Sequence, residues 1–244
     1  MPPRLIDSFL RYRAVLGLMG LLPARLVVHS HRSNHWLGLL TPDERRRDLV
    51  PLVVMPLEGT TLPPGPEDKR ALRARLGLPA DRFVFVSPGF FFRRKRYIEV
   101  IEALPDDAVL VLSGTESPWE RGYFAEVLAV AATHPNVIVN TEYETMGQYV
   151  AAADAMVLYY EDVFQSAVVT QAIWAGLPCI FSDTRGFRLY EGAGLVARDT
   201  AELAQAMREL QRPEVHARCL RQVGILRRLL SPERNAPRYL IGVP

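Results

Sequence analysis

Three apolar runs, Phe83-Val84-Phe85-Val86, Val109-Leu110-Val111-Leu112 and Ala155-Met156-Val157-Leu158-Tyr159-Tyr160, lack the polar alternation of a strand with one face in water. Strands of this kind need cover on both faces, and parallel sheets flanked by helices supply it. The intervening segments have helical spacing. The pattern predicts strands over 83–87, 108–113, 137–140, 155–160, 178–182 and 194–197, with a helical turn over 187–191. Helices are expected over 69–76, 95–104, 119–132, 145–153, 166–175, 200–211 and 214–230. Six strands joined by helical crossovers make a doubly wound, parallel, Rossmann-like α/β sheet.

Upstream of this unit the periodicity is less regular. A helix over 4–21, a strand over 25–29, a helix over 34–40, a charged loop over Asp43–Asp48 and a strand over 52–55 form a small αβαβ extension. Pro63-Pro64-Gly65-Pro66 reads as a stiff linker, which divides the chain into a partial segment, 1–62, and a main domain, 63–244.

If the strand order is 3-2-1-4-5-6, the ends of the first and fourth strands flank the topological switch where such folds bind ligands. Two unusual loops then meet. Ser87-Pro88-Gly89 leads into Phe90-Phe91-Phe92-Arg93-Arg94-Lys95-Arg96. Across the crevice, Tyr159-Tyr160 leads through Glu161, Asp162 and Val163 to a short apolar helix opening at Ser166. Cations at a helix N-terminus oppose its dipole unless an anion is present, and free N–H groups at a helix start attract one. Gly89 permits close backbone approach. Ser166 is expected to cap the second helix, with the N–H groups of Ala167 and Val168 offered to a phosphate oxygen. Gln171 on that helix, and the turns at Gly114 and Tyr143, are candidates for contact with a nucleoside.

In their order along the chain, Gly89–Arg96, Leu112-Ser113-Gly114-Thr115, Ala151–Tyr160 and Gln165–Ile180 resemble the C-terminal, nucleotide-sugar-binding domain of GT-B glycosyltransferases of the retaining family 4 type. The resemblance covers residues 80–211, and 25–60 more loosely. It implies that Lys95, helped by Arg94 or a neighbouring arginine such as Arg93, neutralises the diphosphate leaving group of a donor sugar nucleotide. Gly89 matches the glycine that opens the loop, but the arginine usual after it is Phe90. The family's two glutamates fall on Val163 and Gln171. Gln171 can still bond a ribose hydroxyl, whereas Val163 cannot act as a carboxylate, although Glu161 and Asp162 lie close by. Ser166 takes a small-residue position whose backbone meets phosphate.

The resemblance therefore implies transfer of a sugar, with retention, from a nucleoside-diphosphate sugar to an acceptor hydroxyl, with no separate cofactor. Since family members carry a full acceptor-binding domain, a partner subunit supplying that half is expected. A truncated glycosyltransferase or a non-catalytic nucleotide-sugar-binding module is the alternative. An oxidoreductase is disfavoured because no G-x-G-x-x-G follows the first strand.

Other partner classes follow from charge and composition. A net charge of +2 gives no broad basic footprint, so nucleic acid is not expected. The Arg-flanked opening helix could lie on an anionic membrane surface, but a packed amphipathic helix is favoured. Its apolar run is too short to span a bilayer, and together with two cysteines lacking ligand or redox spacing it suggests a cytoplasmic protein. His29, His31 and His35 lack a completing Cys or carboxylate, so no metal is expected.

Overall fold

A computed structural model describes residues 26–28, 47–49, 65–163 and 165–240. The expected helices at 4–21 and 34–40, the strand at 52–55, the Pro63–Pro64 part of the linker and the three early histidines lie outside the described residues. Strand β1, Leu26–Val28, falls within the expected 25–29 strand. It pairs in parallel with β2, Arg47–Leu49. That second strand corrects the charged loop: backbone pairing with β1 sets the local structure despite charged side chains, whose β propensity depends on context.

From residue 65 onward the chain follows the expected alternation. Helix α1 (Pro66–Arg75) has proline at its start, Glu67 and Asp68 in its first turn and Arg73 and Arg75 in its last, all suited to the helix dipole. Then come β3 (Phe83–Pro88), α2 (Tyr97–Glu102), β4 (Ala108–Ser113), α3 (Tyr123–Ala131) and β5 (Val137–Asn140). The second half holds α4 (Tyr143–Ala152), β6 (Ala155–Leu158), α5 (Ala167–Trp174), β7 (Cys179–Ser182) and β8 (Gly194–Ala197). Helices α6 (Thr200–Leu210), α7 (Pro213–Leu229) and α8 (Pro232–Leu240) close the described chain. Asp199 caps α6 by accepting from the Glu202 N–H at 2.8 Å.

The sheet order is β5-β4-β3-β6-β7-β8, with every pair parallel. Numbered from β3, this is 3-2-1-4-5-6, and the switch lies between β3 and β6. Successive strand residues serve opposite layers. Val84, Val86, Met156, Leu158 and Phe181 join one core with residues of α4, α5 and α7. Phe85, Leu110, Leu112, Val157 and Ile180 join the other with residues of α2, α3 and α6. Both cysteines are free and buried, as packing residues should be. Among the described residues, no helix is long and apolar enough to cross a membrane, and no group of three His, Cys, Asp or Glu could hold a metal.

Candidate anion-binding site at the sheet switch

The site is built where β3 and β6 release the chain. After β3 the backbone turns at Gly89, whose φ of 106° favours glycine. Its N–H donates to the Ser113 carbonyl at 2.8 Å, and the Phe91 N–H donates to the Thr115 carbonyl at 3.0 Å, so pairing continues beyond the strands. Gly114 is required by this contact, because a Cβ there would lie 2.0 Å from the Gly89 carbonyl oxygen. The structure therefore places Gly114 as the backbone support of Gly89.

The basic cluster differs from the expected single helix. Arg93–Lys95 form a separate 3₁₀ turn, and Arg96 takes a left-handed conformation with φ 50° before α2 begins at Tyr97. The cations therefore do not stand in the first turn of α2, and each has its own surroundings. Arg93 pairs with Glu126 and reaches Glu120 at 3.7 Å, and its guanidinium lies 5.0 Å from the Tyr123 ring centre. Arg94 is exposed and lies 5.0 Å from the Phe92 ring centre. Arg96 sits over Tyr159 at 5.5 Å.

Lys95 is different because it is buried, with 7% of its surface exposed. Its Nζ donates to the Pro88 carbonyl at 3.1 Å and the Tyr97 hydroxyl at 3.3 Å, and faces the rings of Tyr97 and Tyr160 at 5.7 and 5.5 Å. Among the described residues no carboxylate pairs with it. Burial, reinforced by the Arg94 charge, pulls its pKa down to about 7. Tyr97 donates in turn to the Gly89 carbonyl at 3.0 Å. Burial, with Tyr160 and Tyr123 adding to it, raises the pKa of Tyr97 well above the usual phenol value and keeps it a donor. Tyr97 was not legible as part of the site, because its sequence position suggests only a core aromatic.

The two loops meet as the strand order requires. The Glu161 N–H donates to the Arg94 carbonyl at 2.6 Å, tying the post-β6 loop to the basic turn. On the far side of that loop, α5 opens at Ser166, which is buried and makes no side-chain hydrogen bond to the first turn. The expected hydroxyl cap is thus corrected. Ser166 is in extended conformation at the N-cap, but its Oγ leaves the first-turn N–H groups without that partner. Ala167 is exposed, and Val168 and Gln171 are half-buried, so this end of α5 is accessible.

Val163 is 3% exposed and packs in the core, with its carbonyl 2.2 Å from where a Gly186 Cβ would lie. Its side chain is an apolar core group and supplies no carboxylate. Glu161 is exposed and Asp162 half-buried. Tyr143 is exposed at the start of α4, beyond the outer strand β5, where Asn140 bonds Ser113 Oγ at 2.9 Å and the Glu142 carbonyl at 3.0 Å. It therefore stands two strands away from Gly89 in the sheet order, at the same carboxyl end.

This sheet order, with a buried cation and an uncapped helix start facing one switch point, defines a Rossmann-like half of the GT-B type. Residues 89–212, just over half of the chain, match the model of the family described as glycosyl transferases group 1. The chain belongs to that family. No curated protein matches it by sequence.

Solved structures with the same fold include a sucrose-phosphate synthase from Thermosynechococcus elongatus, with a TM-score of 0.68 and 22% identity over 87% of this chain and 56% of that one. A glycosyltransferase from Rickettsia africae has a TM-score of 0.76 and 12% identity, covering 94% of this chain and 65% of that one. HepE of Anabaena, solved in complex with UDP and glucose, has a TM-score of 0.72 and 15% identity, over 93% and 63% of the two chains. The chain thus spans less than two thirds of the length of each.

Proposed function

We propose that the chain binds a nucleoside-diphosphate sugar across the β3–β6 switch and transfers its sugar, with retention, to an acceptor hydroxyl. The observation that carries this reading is Lys95: a buried cation beside a glycine backbone, whose hydrogen-bond partners among the described residues are neutral oxygens. Such a group is completed by an anion. A diphosphate entering above Gly89 meets Lys95 and Arg94 from one loop and the Ala167 and Val168 N–H groups from the other.

As the anomeric C–O bond breaks, its electron pair goes to the leaving diphosphate. Positive charge already in place stabilises that developing charge, which speeds the step itself. The acceptor oxygen forms the new C–O bond, and its proton passes to the departing phosphate. Gln171 is assigned to a ribose hydroxyl and Glu161 to the donor sugar. Arg93 is left out of the phosphate set, since Glu126 and Glu120 already engage it.

The complex of HepE with UDP and glucose supports a donor of this class. A second reading, a binding module without turnover, is favoured by Val163, which buries an apolar side chain where the resemblance expects a carboxylate.

Thermal-shift titration with UDP, GDP, ADP and dTDP tests the binding claim, because a ligand of the native state raises its stability. A shift with at least one nucleotide, reduced at least tenfold in apparent affinity by Lys95→Ala, is expected; no shift with any of them would sink the donor-site reading. Incubation with the matching nucleotide sugars then separates the two readings, since slow sugar release requires an enzyme.

A further inference from the structure

We propose that Phe90, Phe92 and Trp119 form a saccharide-binding platform beside the proposed donor site, an inference that rests on the transferase reading above. The platform follows from backbone geometry. Phe91 pairs in parallel with Glu116 beyond the ends of β3 and β4, so strand alternation persists through the three phenylalanines. Phe91 turns into the core and is fully buried, which sends Phe90 and Phe92 to the other side. Phe90 is 43% exposed. Trp119, from the loop after β4, joins them and is 78% exposed.

The three rings form one surface. Phe92 and Trp119 are nearly parallel, at 11° with centroids 6.4 Å apart. Phe90 meets each of them edge-on, with centroids 6.1 Å away in both cases. Three large rings gathered outward make an apolar patch of the kind that marks a binding surface. The patch also adjoins the proposed donor site: Phe90 follows Gly89, and the Arg94 guanidinium lies over Phe92.

Charge around the rings selects the kind of ligand. Arg93 pairs with Glu126 and reaches Glu120 at 3.7 Å, and the Arg94 guanidinium lies over Phe92, so the charge beside the rings is of mixed sign. An anionic lipid surface or a nucleic acid would call for an excess of positive charge. A pyranose needs a different match. The C–H groups of one sugar face carry slight positive charge and suit the negative face of an aromatic ring. The hydroxyls around its edge can both donate and accept, which a rim of mixed sign satisfies.

The purified chain should be screened on an array of pyranose oligosaccharides covering glucans, galactans, mannans and chitin fragments. The strongest binder is then titrated by calorimetry into wild type, Trp119→Ala and Trp119→Phe. Binding to at least one oligosaccharide is expected, weakened tenfold or more by Trp119→Ala and less than threefold by Trp119→Phe. Equal melting temperatures for the three proteins would show that the fold is intact, as the exposure of Trp119 implies.

No binding across the array, or binding that Trp119→Ala leaves unchanged, would overturn the platform. So would capture by phosphatidylglycerol vesicles that Trp119→Ala abolishes, which would make the surface a membrane contact. Parallel titration of wild type with UDP, GDP, ADP and dTDP keeps the two readings apart. Nucleotide binding without saccharide binding removes only the platform, whereas loss of both removes the transferase reading beneath it.

Discussion

The Lys95 ammonium occupies the place that a side chain on Gly89 would need: a Cβ built there lies 2.5 Å from Nζ. The glycine and the lysine are thus one device, and replacing either affects both. Gly89→Ala combines an unfavourable φ with displacement of a buried cation, at a cost of about 1 to 3 kcal/mol. Gly114→Ala should cost more, because its Cβ meets backbone at 2.0 Å where Gly89 meets the end of a flexible side chain. Chemical denaturation of both variants checks the order, and Gly89→Ala should also weaken diphosphate binding at least tenfold.

Burial of Lys95 makes binding sensitive to pH in a definite direction. Its pKa is drawn down to about 7 in the free protein, whereas an anion beside Nζ favours the charged form and raises it. A proton is therefore taken up when a diphosphate binds above pH 7, and affinity falls as pH rises through that value. Calorimetry in buffers of different ionisation heat should detect the uptake in wild type and not in Lys95→Met.

The same lysine should lower the stability of the ligand-free fold. Its folded pKa lies below the unfolded value, so the cost is fully present below about pH 7 and fades as pH rises toward the unfolded value of 10.5. Lys95→Met should stabilise the free protein by about 1 to 3 kcal/mol near neutral pH. The gain should shrink at pH 9 in urea-unfolding measurements.

At the opposite end of the sheet, Asp154 accepts from Lys69 Nζ at 2.7 Å, from Arg73 at 2.5 Å and from the Val84 N–H at 2.8 Å. Burial pushes its pKa up, but Lys69, the Val84 hydrogen bond and Arg73 together outweigh that and leave it lowered. Its contribution is present above the unfolded pKa and lost as pH falls through the folded one. Asp154→Asn should cost about 3 kcal/mol at pH 7 by leaving two partly buried cations unpaired. The loss should diminish below pH 4 in acid-unfolding curves.

The sheet was legible because strands covered on both faces must be apolar throughout, a constraint written directly into 83–86, 109–112 and 155–160. The meeting of the two loops followed from the strand order alone. What could not be read depends on distant partners or on backbone conformation. Nothing in the arginine at 96 announces a positive φ, and that residue is what divides the expected 95–104 helix. Arg93 is engaged by Glu126, 33 residues away, through the placement of α3. Helix α8 lies beyond the expected elements, and Pro237, a residue that ordinarily breaks a helix, falls inside it. Ser166 was expected to cap from its residue type, whereas its Oγ makes no such bond.

The missing carboxylate gives the sharpest test of the resemblance. From sequence, Val163→Glu restores the expected acid and should raise activity. The fold gives the opposite expectation, since residue 163 sits in the core against Gly186 and an added carboxylate would be buried without a partner. Val163→Glu should therefore lose about 3 kcal/mol or more of stability and gain no turnover. Glu161 is exposed and held beside the basic turn by the 2.6 Å bond from its N–H to the Arg94 carbonyl. Glu161→Gln should lower sugar release from the preferred nucleotide sugar at least tenfold, with a change of less than about 0.5 kcal/mol in stability, as exposed positions normally show. Hydrolysis rates and urea midpoints of the two variants decide between the sites. Unchanged turnover in Glu161→Gln would remove that residue from the donor-sugar role.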